Sequence, residues 1–228
     1  DRDRASQLLV FPEVNEVNLG YRTTRRPGSG MGEQLNRLLL ETLGTSPELV
    51  SRGVRHVEEM QLVSLGIGPD RVSDMSANLL KSFLIEYTQR QAEIYGIPLV
   101  KGVPVEHVFD FDEWEWRDDY YDLPVNPLDP ARPGIILVPR RIVRRLPWIN
   151  FDDFQRTEFG LFLRARQLKN GKMSDGSQQP LNKSDIVAVT KREVERIYHY
   201  VDSKESASRD ADRKMSSTLK QPRFLISE

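Results

Sequence analysis

Two carboxylates, Asp70 and Asp74, stand four residues apart in the run Gly66-Ile67-Gly68-Pro69-Asp70-Arg71-Val72-Ser73-Asp74. The glycines permit a tight turn and Ser73 is a natural N-cap, so the run delivers the chain into a helix N-terminus. Free N–H groups and the helix dipole make such a place suited to an anion. Asp70 and Asp74 disfavour a bare anion there; they suit a divalent cation such as Mg, which can bridge to phosphate. The plainer reading gives Asp70 and Ser73 to capping and the glycines to the turn. Metal-dependent cleavage of restriction type needs acidic groups for the metal and a basic group beside them on one strand face. Pro69-Asp70 offers the first acid. Glu113-Trp114-Glu115-Trp116-Arg117 offers the rest, because strand alternation sets Glu113, Glu115 and Arg117 on one face. The candidate catalytic set is therefore Asp70, Asp74, Glu113, Glu115 and Arg117, with Asp70 and Asp74 as metal ligands. Arginine stands where such sites usually carry lysine, and a long helix separates the two halves.

Two further segments carry concentrated charge. Residues 110–122 hold seven acidic side chains interleaved with Phe111, Trp114, Trp116, Tyr120 and Tyr121. Such a strand can grip a basic partner, with the aromatics supplying contact area; equally it can be an edge strand with carboxylates outward. Arg140-Arg141-Ile142-Val143-Arg144-Arg145 is the opposite pole. On a helix its four guanidinium groups share one face and suit phosphate, or they pair with the acidic segment. Arg25 and Arg26 add cationic character to a glycine-rich loop over 18–32. Arg192 and His199 match the Arg-X4–6-His spacing of HEPN ribonucleases, a spacing that also arises by chance. His56 and His107 have no companions at metal-ligand spacing.

These residues must be positioned by both helices and strands. The pattern predicts a short strand over 7–11, a helix over 33–43, and a short helix restarted by Ser46-Pro47. Residues 60–65 fit either a strand or a helix end. The clearest element is a helix over 74–95, capped by Ser73 and stopped by Gly96, with Met75, Leu79, Leu80, Phe83, Leu84, Tyr87 and Ile94 as its apolar stripe. Broken β-structure follows over 97–139, ending in Gly134-Ile135-Ile136-Leu137-Val138 as a buried strand. Beyond Trp148 a helix capped by Asn150 or Asp152 reaches Leu168, and 169–180 is a polar linker. A short helix starts at Ser184, and Thr190-Lys191-Arg192-Glu193 reads as a capping box for a longer one. Residues 203–220, poor in apolar anchors, read as a tail that is mobile or stabilised only by a partner. The expected fold is α+β (or α/β), a small sheet packed with a long central helix, with a core over 1–148 and a helical extension over 149–228.

Composition narrows the function classes. The chain has 228 residues, 38% hydrophobic and 29% charged, with 33 Lys plus Arg against 34 Asp plus Glu. That balance carries no global basic field, so any nucleic-acid contact depends on a local patch. There are no cysteines, which excludes disulfides, thiolate catalysis and cysteine-ligated zinc. No apolar run approaches the roughly 18 residues of a membrane span. No Walker loop, dinucleotide fingerprint or Gly-X-Ser-X-Gly is present. Together these point to a cytoplasmic protein with no membrane segment.

Phe11-Pro12-Glu13-Val14, Leu19-Gly20-Tyr21, residues 66–74, Tyr87-Thr88-Gln89, Gly96-Ile97-Pro98 and Ile136-Leu137-Val138-Pro139-Arg140 resemble a group of bacterial proteins associated with phage-defence genes. The resemblance covers roughly residues 10–205. It implies an antiviral role. Joined to the residue chemistry, it gives two expectations: a defence component that engages nucleic acid through Arg25, Arg26, Arg140, Arg141, Arg144 and Arg145, with metal-dependent cleavage as its candidate activity, or a non-catalytic subunit that docks onto a partner protein in a larger complex.

Overall fold

The computed structural model describes residues 2–12, 14, 16–17, 29–126, 134–143, 147–160 and 182–219; for residues 2, 29–31 and 211–219 it describes the backbone alone. The fold is α+β, and the chain divides into two compact units, Asp1–Trp148 and Ile149–Glu228.

The first unit opens with α1 (Arg2–Leu8), α2 (Ser29–Gly44), α3 (Pro47–Arg52) and α4 (Met60–Val63). Helix α1 takes the start of the strand expected over 7–11: the Leu9 N–H still reaches the Ala5 carbonyl at 3.0 Å, and Val10 and Phe11 follow without regular structure. Ser29 to Gly32, expected as loop, are the first turn of α2. Residues 60–65 resolve to the helical alternative, with Met60 to Val63 all buried.

The long helix expected over 74–95 is two helices, α5 (Pro69–Leu79) and α6 (Lys81–Tyr95), which meet at Leu80. The start lies earlier than Ser73. Gly68 is the N-cap in extended conformation and Pro69 occupies the first position, where a missing N–H costs nothing. Near the junction Ser76 and Asn78 turn their side chains back onto the carbonyls of Val72 and Asp74, at 2.7 and 2.9 Å. Such back-bonding competes with the helical ladder and bends helices. Gly96 ends α6 in the left-handed conformation, φ 63°.

Helix α6 lies on an antiparallel hairpin, β1 (Leu99–Asp110) and β2 (Glu115–Pro124), the two-stranded sheet of the described residues. Leu84 and Ile85 pack against Val103, Val105, Val108, Leu123 and Ile136. The register slips twice in β1, between Val100 and Val103 and between Val105 and Val108; Gly102 (φ 65°) and His107 (φ 59°) sit at these bulges. The run 134–138 is not a strand of the sheet. Ile136 is fully buried, but the N–H groups of Ile135, Ile136 and Leu137 go to the Pro124 carbonyl, the Glu16 carbonyl and the Thr88 hydroxyl in turn. A Cβ at Gly134 would lie 2.8 Å from Val103 Cγ1, so the close approach of this segment to the hairpin requires glycine there.

The second unit contains α7 (Phe151–Phe154), continued by a π-helical turn Gln155–Phe159, then α8 (Lys183–Arg192) and α9 (Glu195–Leu219). Asn150 caps α7 by accepting from Asp153 N–H at 2.9 Å. Asn182 caps α8 in the same way through Asp185 N–H, also at 2.9 Å. The expected capping box at Thr190 is instead the last turn of α8: Thr190 is buried and donates to the Ile186 carbonyl. Residues 203–219 continue α9 to Leu219. The core of this unit is aromatic. Phe154 stacks edge-on with Phe159 and Tyr200, and Asp153 accepts from Tyr200, Lys204 and Arg156. Those three donors hold the Asp153 carboxyl down at about 2 against the opposing effect of burial. The linker over 169–180 and the helix end expected at Leu168 lie outside the described residues. Among the described residues no helix is long and apolar enough to cross a membrane.

Candidate functional site

The run 66–74 does enter a helix N-terminus. Asp70 is exposed in the first turn of α5, and Asp74 sits half-buried one turn later. Neither serves as the N-cap, and Ser73 lies inside the helix. Among the described residues no three His, Asp or Glu side chains gather into a group that could hold a metal ion. A cation here would meet two protein carboxylates on consecutive turns of one helix. Gly66 faces Leu38, whose Cδ2 would stand 2.6 Å from an added Cβ, and Arg71 donates to Gln34 at 3.0 Å. The loop is thus fastened to α2 by packing and by a hydrogen bond.

The hairpin separates the second half of the expected catalytic set. Glu113 lies in the four-residue turn, not on the strand, so it does not share a face with Glu115 and Arg117. Asp110 organises the turn. Its Oδ1 accepts from Asp112 N–H at 2.8 Å and Glu113 N–H at 3.1 Å, while its Oδ2 pairs with Arg117 at 2.6 Å. The Glu113 and Asp112 amides, with Arg117, hold the Asp110 carboxyl below its usual range. Arg117 is therefore committed to closing the turn. Trp114 takes a left-handed backbone, φ 57°, and stands 60% exposed; Phe111 is 57% exposed. Beneath them Phe109 is buried, edge-on to Phe111 at 4.8 Å and to Trp114 at 6.2 Å. Asp112, Glu113 and Glu115 are exposed around them. The tip is a fixed, aromatic, acidic surface.

A second cluster ties residues 8–12 to the hairpin and to α5. The carbonyls of Leu8, Val10 and Pro12 accept from Trp116 Nε1 (2.9 Å), His107 Nε2 (2.7 Å) and Asn78 Nδ2 (2.6 Å). Because a carbonyl only accepts, His107 Nε2 carries the proton. The His107 ring stacks on Trp116 at 4.1 Å, and its backbone N–H donates to Asp118 Oδ1 at 2.8 Å. Lys81, 2% exposed, donates to the Glu106 carbonyl at 2.8 Å. Burial lowers the Lys81 ammonium pKa, offset in part by Glu16, Glu106 and Asp118. Burial also lowers the His107 pKa; the Lys81 charge adds to this and the Val10 carbonyl opposes it.

Since the folded state disfavours the imidazolium, the unfolded chain binds more protons below its own value of about 6.5. The stability due to a neutral His107 is thus present above about pH 6.5 and is lost as pH falls through the lowered folded value. Thermal midpoints measured from pH 7.5 down to 5 should fall more steeply for the wild type than for His107→Asn, a residue that tolerates the left-handed backbone. Parallel curves would remove His107 from the account.

Residues 1–150, which include the hairpin and the His107 cluster, match the family described as Domain of unknown function (DUF8370). The chain belongs to this family. Neither a curated protein nor a solved structure matches the chain. The DUF8370 part of the chain thus holds most of the candidate residues.

Within that part, Arg140 and Arg141 are exposed on a single 3-10 turn, Arg140–Ile142, which ends in extended backbone at Val143. The helix that would align four arginines does not continue past it. Arg25, Arg26, Arg144 and Arg145 lie outside the described residues. His56 packs edge-on to Trp148 at 5.4 Å. Beyond the DUF8370 part, Arg192 closes α8 while His199 lies on α9, so the pair does not share a helix face. His199 Nδ1 instead meets Glu158 Oε1 at 3.0 Å. Sequence reasoning missed Asn78, Lys81 and Trp116 as fastenings, since nothing in the chain near them marks carbonyls up to 108 residues away.

Proposed function

We propose that this chain is a non-catalytic interaction subunit of a larger complex, and that the tip of its β1–β2 hairpin holds a basic protein partner. The observation that carries this reading is Phe111 and Trp114 standing exposed on a turn already closed by Asp110. Large aromatics on a rigid support supply binding energy with little ordering cost. The surrounding Asp112, Glu113 and Glu115 favour a complementary surface of Lys and Arg and steer its approach. The resemblance to proteins associated with phage-defence genes gives this complex its setting, a bacterial antiviral system in the cytoplasm.

A second reading, engagement of nucleic acid with cleavage aided by a cation at Asp70 and Asp74, is favoured by Arg140 and Arg141, both exposed on one turn. One titration series separates the two. A panel of Lys- and Arg-rich peptides is expected to bind the wild type and to lose at least about tenfold in affinity to Trp114→Ala, with the thermal midpoint nearly unchanged. Binding to DNA or RNA that falls steeply with salt, is lost in Arg140→Ala/Arg141→Ala and ignores Trp114→Ala would replace the first reading with the second.

A further inference from the structure

Trp114 stands where a large side chain is least expected. Its left-handed backbone, φ 57°, would strain glycine or asparagine less, so the indole is held at a cost to the turn. Its ring meets Phe109 at 6.2 Å and 88°, and the Phe111 ring meets Phe109 at 4.8 Å and 81°. Both exposed rings therefore stand nearly perpendicular to one buried ring, which fixes them. The cation–ring contacts of the described residues fall on Phe151, Phe159 and Tyr200, none of them at this tip. Arg117, the nearest cation along the chain, is held by Asp110 Oδ2 at 2.6 Å. The electron-rich rings of Phe111 and Trp114 are thus left exposed inside a rim of Asp112, Glu113 and Glu115.

We propose that the tip is a cation–π site for an arginine of its partner, the guanidinium lying on Trp114 beside Phe111, a proposal that rests on the reading of that partner as a basic protein. A ring face attracts a cation through its quadrupole, most strongly in tryptophan. Guanidinium suits this place better than ammonium. It is planar and lies flat on the indole, and it is more weakly hydrated, so giving up water against a ring costs it less. While its face stacks, its edge still presents donors to a carboxylate of the rim. A lysine ammonium is compact and strongly hydrated, and must lose that water to make the same contact. An apolar anchor would cover the rings equally well but would bring the rim carboxylates against a surface with no counter-charge.

The test is calorimetric titration of the full 228-residue chain with one Gly–Ser peptide made in Arg, Lys and citrulline versions. Citrulline keeps the shape of arginine without its charge. The Arg version is expected to bind at least about fivefold more tightly than the Lys version, and the citrulline version at least about tenfold more weakly than the Arg version. Trp114→Leu keeps apolar bulk and removes the ring, so it should erase the preference for Arg over Lys; Trp114→Phe should keep part of it. Both positions of the pair are exposed, so thermal midpoints should match the wild type. In the wild-type complex the Arg side-chain protons should shift upfield in the NMR spectrum through the indole ring current. Equal affinity for the Arg and Lys versions, or a preference that survives Trp114→Leu, would overturn the arginine site and leave the basic partner standing. Failure of both charged versions to bind would overturn the two together.

Discussion

Leu84→Ala is expected to destabilise the fold by about 2–5 kcal/mol, whereas Phe83→Ala, one residue earlier, should cost under about 1 kcal/mol. Leu84 is 1% exposed and packs with Ile85 against the valines of β1, Leu123 and Ile136, so its deletion leaves a cavity that hairpin and helix cannot both close. Phe83 projects into solvent at 53% exposure. Its removal gives up little contact within the chain, and alanine favours the helix. Urea unfolding of the two variants measures both. Equal costs would mean that α6 is rotated relative to the face described here.

Trp116→Ala is expected to cost about 3 kcal/mol and to loosen residues 8–12 in particular. The side chain does three things together. Its Nε1–H holds the Leu8 carbonyl, its ring carries His107, and its edge meets Phe11 and Phe109. The segment it holds lies outside the β ladder, so its fastening rests on Trp116, His107 and Asn78. Amide exchange at Leu9, Val10 and Phe11 should accelerate well beyond the change in β1. Trp116→Phe keeps the ring and loses one hydrogen bond, and should cost nearer 1 kcal/mol. A uniform rise in exchange across the hairpin would show that Trp116 supports the sheet as a whole and does not fasten the segment.

The sequence is most legible where local chemistry decides. Pro47 and Gly96 mark their helix boundaries because each acts on its own backbone, and Asn150 caps α7 through a donor three residues away. The mixed α+β class follows from such signals. The apolar stripe on α6 does not mark its buried face, for a different reason. Leu80, Phe83, Tyr87 and Ile94 satisfy helical periodicity, yet the face that meets the hairpin carries Thr88, Ala92 and Lys81 with Leu84 and Ile85. Thr88 is needed there because its hydroxyl accepts from Leu137 N–H, a partner 49 residues away. Residues 7–11 read as a strand because their apolar run favours one, but among the described residues no neighbouring strand takes up their backbone groups. The acidic run 110–122 was legible as a charged aromatic unit. That Glu113 belongs to a turn was not, because it depends on Asp110 gathering two amides and Arg117.

A hairpin tip built to hold a basic protein, as proposed, should touch that partner in the cell. The most direct measurement replaces Trp114 by a photo-crosslinking aromatic residue in the native cell, with Val50, 59% exposed on α3, as the control position. A discrete adduct is expected from position 114, formed with a basic protein, absent from position 50 and weakened when Glu113 and Glu115 are both changed to Gln. No adduct from position 114, or the same adducts from both positions, would contradict it.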